Sequence, residues 1–370
     1  MPLTGLVAHE RYFWHDPGNG AGFSASNAYA QPDHHPEAPD TKRRLLALLE
    51  VSGLADRLSR IKPRPAERSE LLCFHTDRYI DQVRDLSAVN GGSIGDSAAI
   101  GAGSYEIALL AAGGCMEAVD AVLGGKINNA YALVRPPGHH AEADQGRGFC
   151  VFGNIVVLVR HVQRKHGLQR IAVVDWDVHH GNGTETAFIA DPSVLTISIH
   201  QDRCYPIDSG QMSVTGQGKG AHTNLNIPLP PGSGHGAYLA AFDRVVLPAL
   251  ERFRPELIVI ASGLDASALD PMGRMLCTSE TYRAMASRMV GAADELCSGR
   301  IVAAHEGGYS NAYVPFCGLA VVEEFAGVRT EVVDPYLQEL THMAGQELLP
   351  HQAAVVDAAA ALVSRIPAGT

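Results

Sequence analysis

Five polar clusters in this chain each follow directly on a short apolar run, and that placement constrains the fold more than any other feature. The runs Ile171-Ala-Val-Val-Asp175, Val194-Leu-Thr-Ile-Ser198, Leu257-Ile-Val-Ile-Ala261 and Ile301-Val-Ala-Ala304 are rich in β-branched residues. Continuous apolar runs of this length, unlike alternating ones, belong to strands buried on both faces. Tyr131-Ala-Leu-Val134 reads as a fifth strand and Gly5-Leu-Val-Ala8 as a sixth. Helical patterns fall near 41–52, 104–123, 154–166, 236–253, 278–297 and 351–365. Ser104 is the expected N-cap of the second, which stops at Gly124-Gly125. Such alternation predicts an α/β fold: a central, mostly parallel β-sheet with helices on both faces.

The clusters are Arg135-Pro-Pro-Gly-His-His140, Asp175-Trp-Asp-Val-His-His-Gly-Asn-Gly183, Ser198-Ile-His200, Gly263-Leu-Asp265 and His305-Glu-Gly-Gly-Tyr309. In a parallel sheet, ligands bind at the carboxyl ends of the strands. Five clusters at one sheet edge would share one crevice. Stretches 14–40, 87–103 and 201–222, rich in Gly, Asp, Ser and Asn, read as long loops that shape it. No repeat or Pro-rich linker divides the chain, so residues 1–370 are expected to form a single catalytic domain.

Composition removes several function classes. With 29 basic against 40 acidic side chains, the formal charge is −11, which offers no footprint for nucleic acid or an anionic membrane. Met1-Pro-Leu-Thr-Gly-Leu-Val-Ala-His-Glu10 lacks the basic start and apolar core of a signal peptide, and no apolar run is long enough for a membrane span. The seven cysteines are scattered without a CxxC and read as reduced thiols. A soluble, cytoplasmic enzyme is the expectation.

Asp177 and His179 lie two apart at a strand end, so they point to one side, and Asp265 could add a third ligand from another strand. Three protein ligands with an open position describe catalytic zinc, although an oxygen-rich set with one His also suits iron or manganese. His139 and His140 follow the stiff Pro136-Pro137 turn, with Asp175 and Asn182 available to set tautomer and basicity. Such a pair can serve as general base and acid. Tyr309, after Gly307-Gly308, could donate its hydroxyl to an oxyanion.

At these residues the chain resembles the histone deacetylase superfamily, specifically the class II-like bacterial histone deacetylase-like amidohydrolases, relatives of the acetylpolyamine amidohydrolases. The carrying motifs are R-P-P-G-H-H at 135–140, G-F-C at 148–150, D-W-D-V-H-H-G-N-G-T at 175–184, S-I-H at 198–200, G-L-D-A-S-A-L-D-P-M at 263–272 and E-G-G-Y at 306–309. They span most of the chain in the family's order. The resemblance implies an arginase–deacetylase fold and zinc-dependent hydrolysis of an acyl amide, with one Zn2+ per chain on Asp177, His179 and Asp265. It makes His139 and His140 the imidazole pair, backed by Asp175 and Asn182 respectively. Class I members carry an aspartate where Asn182 stands, so His140 is expected to be less basic here.

The resemblance further makes Tyr309 the electrophilic tyrosine and Phe149 and Tyr205 the aromatic walls of an acyl-lysine tunnel. Gly148, Gly308 and Met272 line it, and Asp96 matches a loop carboxylate that holds substrate backbone. An inner K+ or Na+ site would use Asp175, Asp177, His179, Ser198 and Ile199. A second would use Phe188, Asp191, Val194 and Thr223. The implied partner is an acylated amine, either an acetyl-lysine peptide or an acetylpolyamine; assembly into a homo-oligomer is left open. An arginase-like ureohydrolase would need acidic residues where His180-Gly181 and Ser267 stand, which argues against two metals. A non-catalytic acyl-lysine binder would not need Tyr309 beside all three ligands.

Overall fold

A computed structural model describes residues 3–20, 24 and 26–369. Eleven strands are present among them: β1 (Thr4–Val7), β2 (Ser59–Ile61), β3 (Gly92–Asp96), β4 (Ala98–Ile100), β5 (Asn129–Ala132), β6 (Gly146–Arg147), β7 (Ile171–Asp175), β8 (Val194–Gln201), β9 (Asn224–Leu229), β10 (Leu257–Ser262) and β11 (Ile301–His305). Eight form one sheet in the order β2-β1-β5-β11-β10-β7-β8-β9. Every pairing within it is parallel.

The continuous apolar runs are explained by two covered faces. Along β10, Leu257, Val259 and Ala261 join a core against the helices Ser104–Leu123 and Asn154–His166. Ile258 and Ile260 point the other way, into a larger core with the helices Asp40–Val51, Ser279–Cys297 and Val314–Ala326. Successive side chains of a strand face opposite sides, so each run must be apolar throughout. This is the α/β arginase–deacetylase architecture.

Several expectations change in detail. The strands expected at 131–134 and 5–8 lie slightly earlier, as β5 and β1. The helix expected over 236–253 is interrupted by a wide turn at Phe242–Val246, just before Pro248, whose ring nitrogen has no hydrogen to donate. The N-cap of the helix Ser104–Leu123 is Gly103 rather than Ser104, whose hydroxyl instead accepts the Gly101 N–H. The edge strands β2 and β9 carry Ser, Arg, Asn and Pro, which hide them from an apolar search.

The expected loop at 87–103 is largely a β-structure. Here β3 pairs with β4 and with β6, forming a three-stranded sheet. Gly95 permits the approach of β6, because a Cβ there would meet the Gly146 carbonyl oxygen at 1.9 Å. A strand that needs glycine for its pairing reads as a loop from composition alone. Of the expected loop at 14–40, residues 21–23 and 25 lie outside the described residues; most of the remainder is irregular. No helix among the described residues is long and apolar enough to cross a membrane.

Candidate active site

The carboxyl ends of β5, β7, β10 and β11 deliver the clusters to one edge of the sheet. Asp175 ends β7, and Asp177 and His179 follow it; Asp265 comes three residues after β10 and Tyr309 four after β11. His179 Nδ1 lies 3.0 Å from Asp177 Oδ1 and 3.1 Å from Asp265 Oδ2. Both carboxylates are buried. Three of their four oxygens are otherwise answered: Asp177 Oδ1 by the His179 N–H, Asp177 Oδ2 by the Gly307 N–H and Asp265 Oδ1 by the Val178 N–H. Asp265 Oδ2 receives no hydrogen bond.

A buried, unsatisfied carboxylate oxygen is costly unless a cation meets it. Its two neighbours in the triad offer a nitrogen and an oxygen, the donor set of divalent zinc, at close to the mutual spacing of ligands around a tetrahedral ion. The residues therefore fit the metal. Gly307 and Gly263 make room for the carboxylates: a Cβ at either would lie 2.2 or 2.1 Å from an oxygen of Asp265 or Asp177.

The two imidazoles lie with centroids 4.0 Å apart, tilted by 42°, and receive different partners. His139 Nδ1 lies 2.9 Å from Asp175 Oδ2, and its Nε2 is 3.7 Å from Asp177 Oδ2. Burial opposes its charged form, but the Asp177 and Asp175 carboxylates prevail and raise it to about 10. His140 Nδ1 lies 2.8 Å from Asn182 Oδ1. Burial, then the neighbouring His139 and His179, push His140 well below the usual imidazole range. One ring thus holds a proton while its neighbour stays free to take one, the division of labour an acid–base pair requires.

A cavity of about 230 Å³ opens above this floor, lined by Phe149, Tyr205, Met272, Gly148 and Tyr309 together with His140 and His179. The Tyr309 ring meets Phe149 edge-on at 5.8 Å, and its hydroxyl has no hydrogen-bond partner among the described residues. Asp270 holds that segment by accepting the Tyr309 and Ser310 N–H groups at 2.7 and 3.2 Å. Asp270 is therefore a loop anchor. Gly308 adopts φ +130° beside it, a region that disfavours side chains.

Other expected residues fall nearby with different partners. Asp96, at the end of β3 on the rim, accepts the Tyr205 hydroxyl at 3.1 Å. Ser198 pairs in register with Asp175, but its hydroxyl meets His200 Nδ1 at 2.9 Å, and Ile199 is buried beside it. Phe188, Asp191 and Val194 form a turn closed by the Asp191 N–H to Phe188 carbonyl and Val194 N–H to Asp191 carbonyl bonds. Thr223 joins it through its hydroxyl, 3.5 Å from the Asp191 carbonyl oxygen.

Four contributors escape a reading by motif. Ser97 and Cys204 line the cavity. Glu306 accepts the Gly138 and His139 N–H groups at 2.6 and 3.1 Å, fixing the turn that carries both imidazoles. Glu142 accepts from Asn182. The last two stand within or next to the quoted motifs, so adjacency to E-G-G-Y and G-H-H was the available signal. Two further triads among the described residues were not foreseen: His139, Cys150 and Glu306 beside the imidazole pair, and Asp120, His161 and His166 on the helices Ser104–Leu123 and Asn154–His166.

Comparison with known proteins follows the same line. Residues 35–325 match the model of the histone deacetylase domain. The chain is 50% identical over 335 residues to a histone deacetylase-like amidohydrolase of Pseudomonas aeruginosa, covering 90% of this chain and 88% of that one. It is 36% identical over 324 residues to the human polyamine deacetylase HDAC10, covering 83% of this chain and 45% of that one. The crystal structure of the HDA15 HD domain superposes with a TM-score of 0.81 at 31% identity, over 98% of each chain.

Proposed function

The chain belongs to the histone deacetylase family, and from that membership we propose that it is a zinc-dependent deacylase. Its reaction is hydrolysis of the acetyl amide of an amine such as a lysine side chain. One observation carries the reading: around His179, three reactive atoms lack hydrogen-bond partners within the described chain. They are Asp265 Oδ2, His140 Nε2 and the Tyr309 hydroxyl.

Asp177, His179 and Asp265 would hold one zinc ion, which supplies carbonyl polarisation and an acidified water when bound. His140, neutral and open at Nε2, accepts the proton of the attacking water. Tyr309 donates its hydroxyl to the oxyanion as the carbonyl carbon becomes tetrahedral. An imidazolium of the pair then protonates the departing amine. His139 lies between Asp175 and Asp177, whose carboxylates favour its protonated form. K+ or Na+ at the two inner positions, around Ser198 and around Phe188, would be structural. One domain carries the whole reaction, and seven unpaired thiols suit a cytoplasmic location.

For the substrate, apolar walls at Phe149, Tyr205 and Met272 suit a methylene chain; among the described residues no carboxylate lines the cavity, and Asp96 on the rim is engaged by the Tyr205 hydroxyl. This favours acetyl-lysine peptides. An acetylpolyamine is the second reading, favoured by the human relative's stated activity. A panel of both substrate types, with and without prior chelation, tests the assignment. The expected result is higher kcat/KM on acetyl-lysine peptides and loss of turnover on metal removal. Preference for acetylpolyamines would install the second reading, and full activity after thorough chelation would remove zinc from the mechanism.

A further inference from the structure

The orientation of one amide decides which nitrogen of His140 carries its proton, and a carboxylate away from the cavity wall decides that amide. Asn182 presents Oδ1 to His140 Nδ1 at 2.8 Å, while its Nδ2 donates to Glu142 Oε1 at 2.8 Å and to the His140 carbonyl at 3.3 Å. Turning an amide over exchanges its donor and acceptor, so a neighbour that can only accept permits one orientation. An ionised Glu142 is such a neighbour. With Nδ2 held toward Glu142, Oδ1 must face His140 and must receive a hydrogen. Nδ1 of His140 is therefore the protonated nitrogen, and Nε2 carries the lone pair that the reaction uses.

Glu142 is itself fixed. Arg147 Nη1 donates to its Oε1 at 3.0 Å, Gln145 Nε2 to its Oε2 at 2.7 Å, and its own N–H bonds the Gln145 carbonyl at 3.0 Å. The device answers a specific need. An aspartate behind His140 could only accept, so it would fix the tautomer unaided; an asparagine can be turned over and cannot. We propose that Glu142 is a positioning residue that sets the tautomer of His140 through Asn182, with Arg147 holding Glu142 in place. The inference rests on the reading of His140 as the base.

The test is a mutant cycle on the metal-loaded enzyme. Glu142→Leu should lower kcat roughly tenfold with KM within about twofold, as expected when one orienting hydrogen bond is lost. Glu142→Gln keeps an amide oxygen that Arg147 can direct at Asn182 and should recover most of the activity. In an Asn182→Asp background, Glu142→Leu should cost less than about twofold, because the acceptor behind His140 no longer depends on it. Nitrogen NMR of labelled histidine should find the His140 proton on Nδ1 in the wild type and shared between both nitrogens in Glu142→Leu. An equal loss in both backgrounds, with an unchanged His140 signal, would mean that Glu142 acts through packing and would overturn the proposal. So would no loss in either background while His140→Ala abolishes turnover, leaving the base assignment intact. If His140→Ala itself turns over normally, the base assignment fails and the proposal with it.

Discussion

Three clusters among the described residues offer a metal three ligands each; one of them, His139 with Cys150 and Glu306, shares an imidazole of the acid–base pair, and the other two differ in what their oxygens already have. Asp177, His179 and Asp265 are buried, and one carboxylate oxygen receives no hydrogen bond. Asp120, His161 and His166 are only partly buried, and both Asp120 oxygens are occupied. His161 and His166 reach Oδ1 at 2.9 and 2.6 Å, and Lys165 reaches Oδ2 at 2.6 Å. The first cluster lacks a cation that the chain does not supply; the second has Lys165. A ligand roster alone would rank the second higher, since two imidazoles and a carboxylate are good zinc donors. Unmet need in a buried place separates a metal site from an ion-paired clamp.

The largest test breaks the first cluster and its counterpart in parallel. Asp265→Ala should abolish measurable turnover and remove the tightly bound metal, while the fold survives because β10 stays buried through Leu257, Val259 and Ile260. Asp120→Ala should leave kcat within about twofold, the ordinary result for a change that touches neither substrate nor site. Normal turnover and metal content in the first variant would make the ligand assignment wrong. Elemental analysis sharpens the contrast: one tightly held divalent ion per chain is expected, and a second ion that Asp120→Ala removes would give the Asp120 cluster a metal.

Next in size is Tyr309→Phe, which removes one hydroxyl and should lower kcat by roughly 10²–10³-fold, the usual cost of losing one oxyanion donor. Metal content and melting temperature should hardly change. Lost stability with near-normal turnover per folded molecule would instead make Tyr309 a packing residue.

How far the sequence reached follows the same divide between local pattern and distant partner. The strands that carry the site were legible because both faces of the sheet are covered, making Ile171–Val174 and Leu257–Ala261 continuously apolar. Asp177 and His179 were legible as a pair because two-residue spacing at a strand end is a local rule. What Asp265 lacks and what Asp270 anchors depend on backbone N–H groups from Val178, Met272 and Tyr309, which no spacing reveals. The sheet β3-β4-β6 was hidden because Gly95 serves pairing there while spelling loop in composition. Edge strand β9, with Asn224, Asn226 and Pro228, was hidden by its polarity.

The smallest effect belongs to the second cluster and concerns stability. Asp120 stands in the last turn of the helix Ser104–Leu123, where a negative charge opposes the helix dipole. Its partners come from the last turns of the helix Asn154–His166, where the positive charge of Lys165 is favoured, so the Lys165 ion pair and the two histidine contacts tie the two helix ends together. Burial works against the Asp120 carboxylate, but bonds from His161, Lys165 and His166 hold it below the usual range. A depressed folded-state pKa gives stability that is present above the unfolded value and lost as pH falls through the folded one. Asp120→Asn should therefore destabilise the protein at pH 7 by about 0.5–1 kcal/mol, the scale of a partly exposed ion pair. The gap between variant and wild type should close as pH falls below about 4, the unperturbed range for aspartate. Thermal or denaturant melts of both proteins at pH 7 and at the lowest pH where both still fold would read this directly. A gap that persists unchanged in acid would mean that shape rather than charge makes the clamp. An Asp265→Ala variant that still binds a divalent ion and loses melting temperature on chelation, with Asp120→Asn unresponsive in that background, would give this cluster a metal. It would then erase the difference between the two regions.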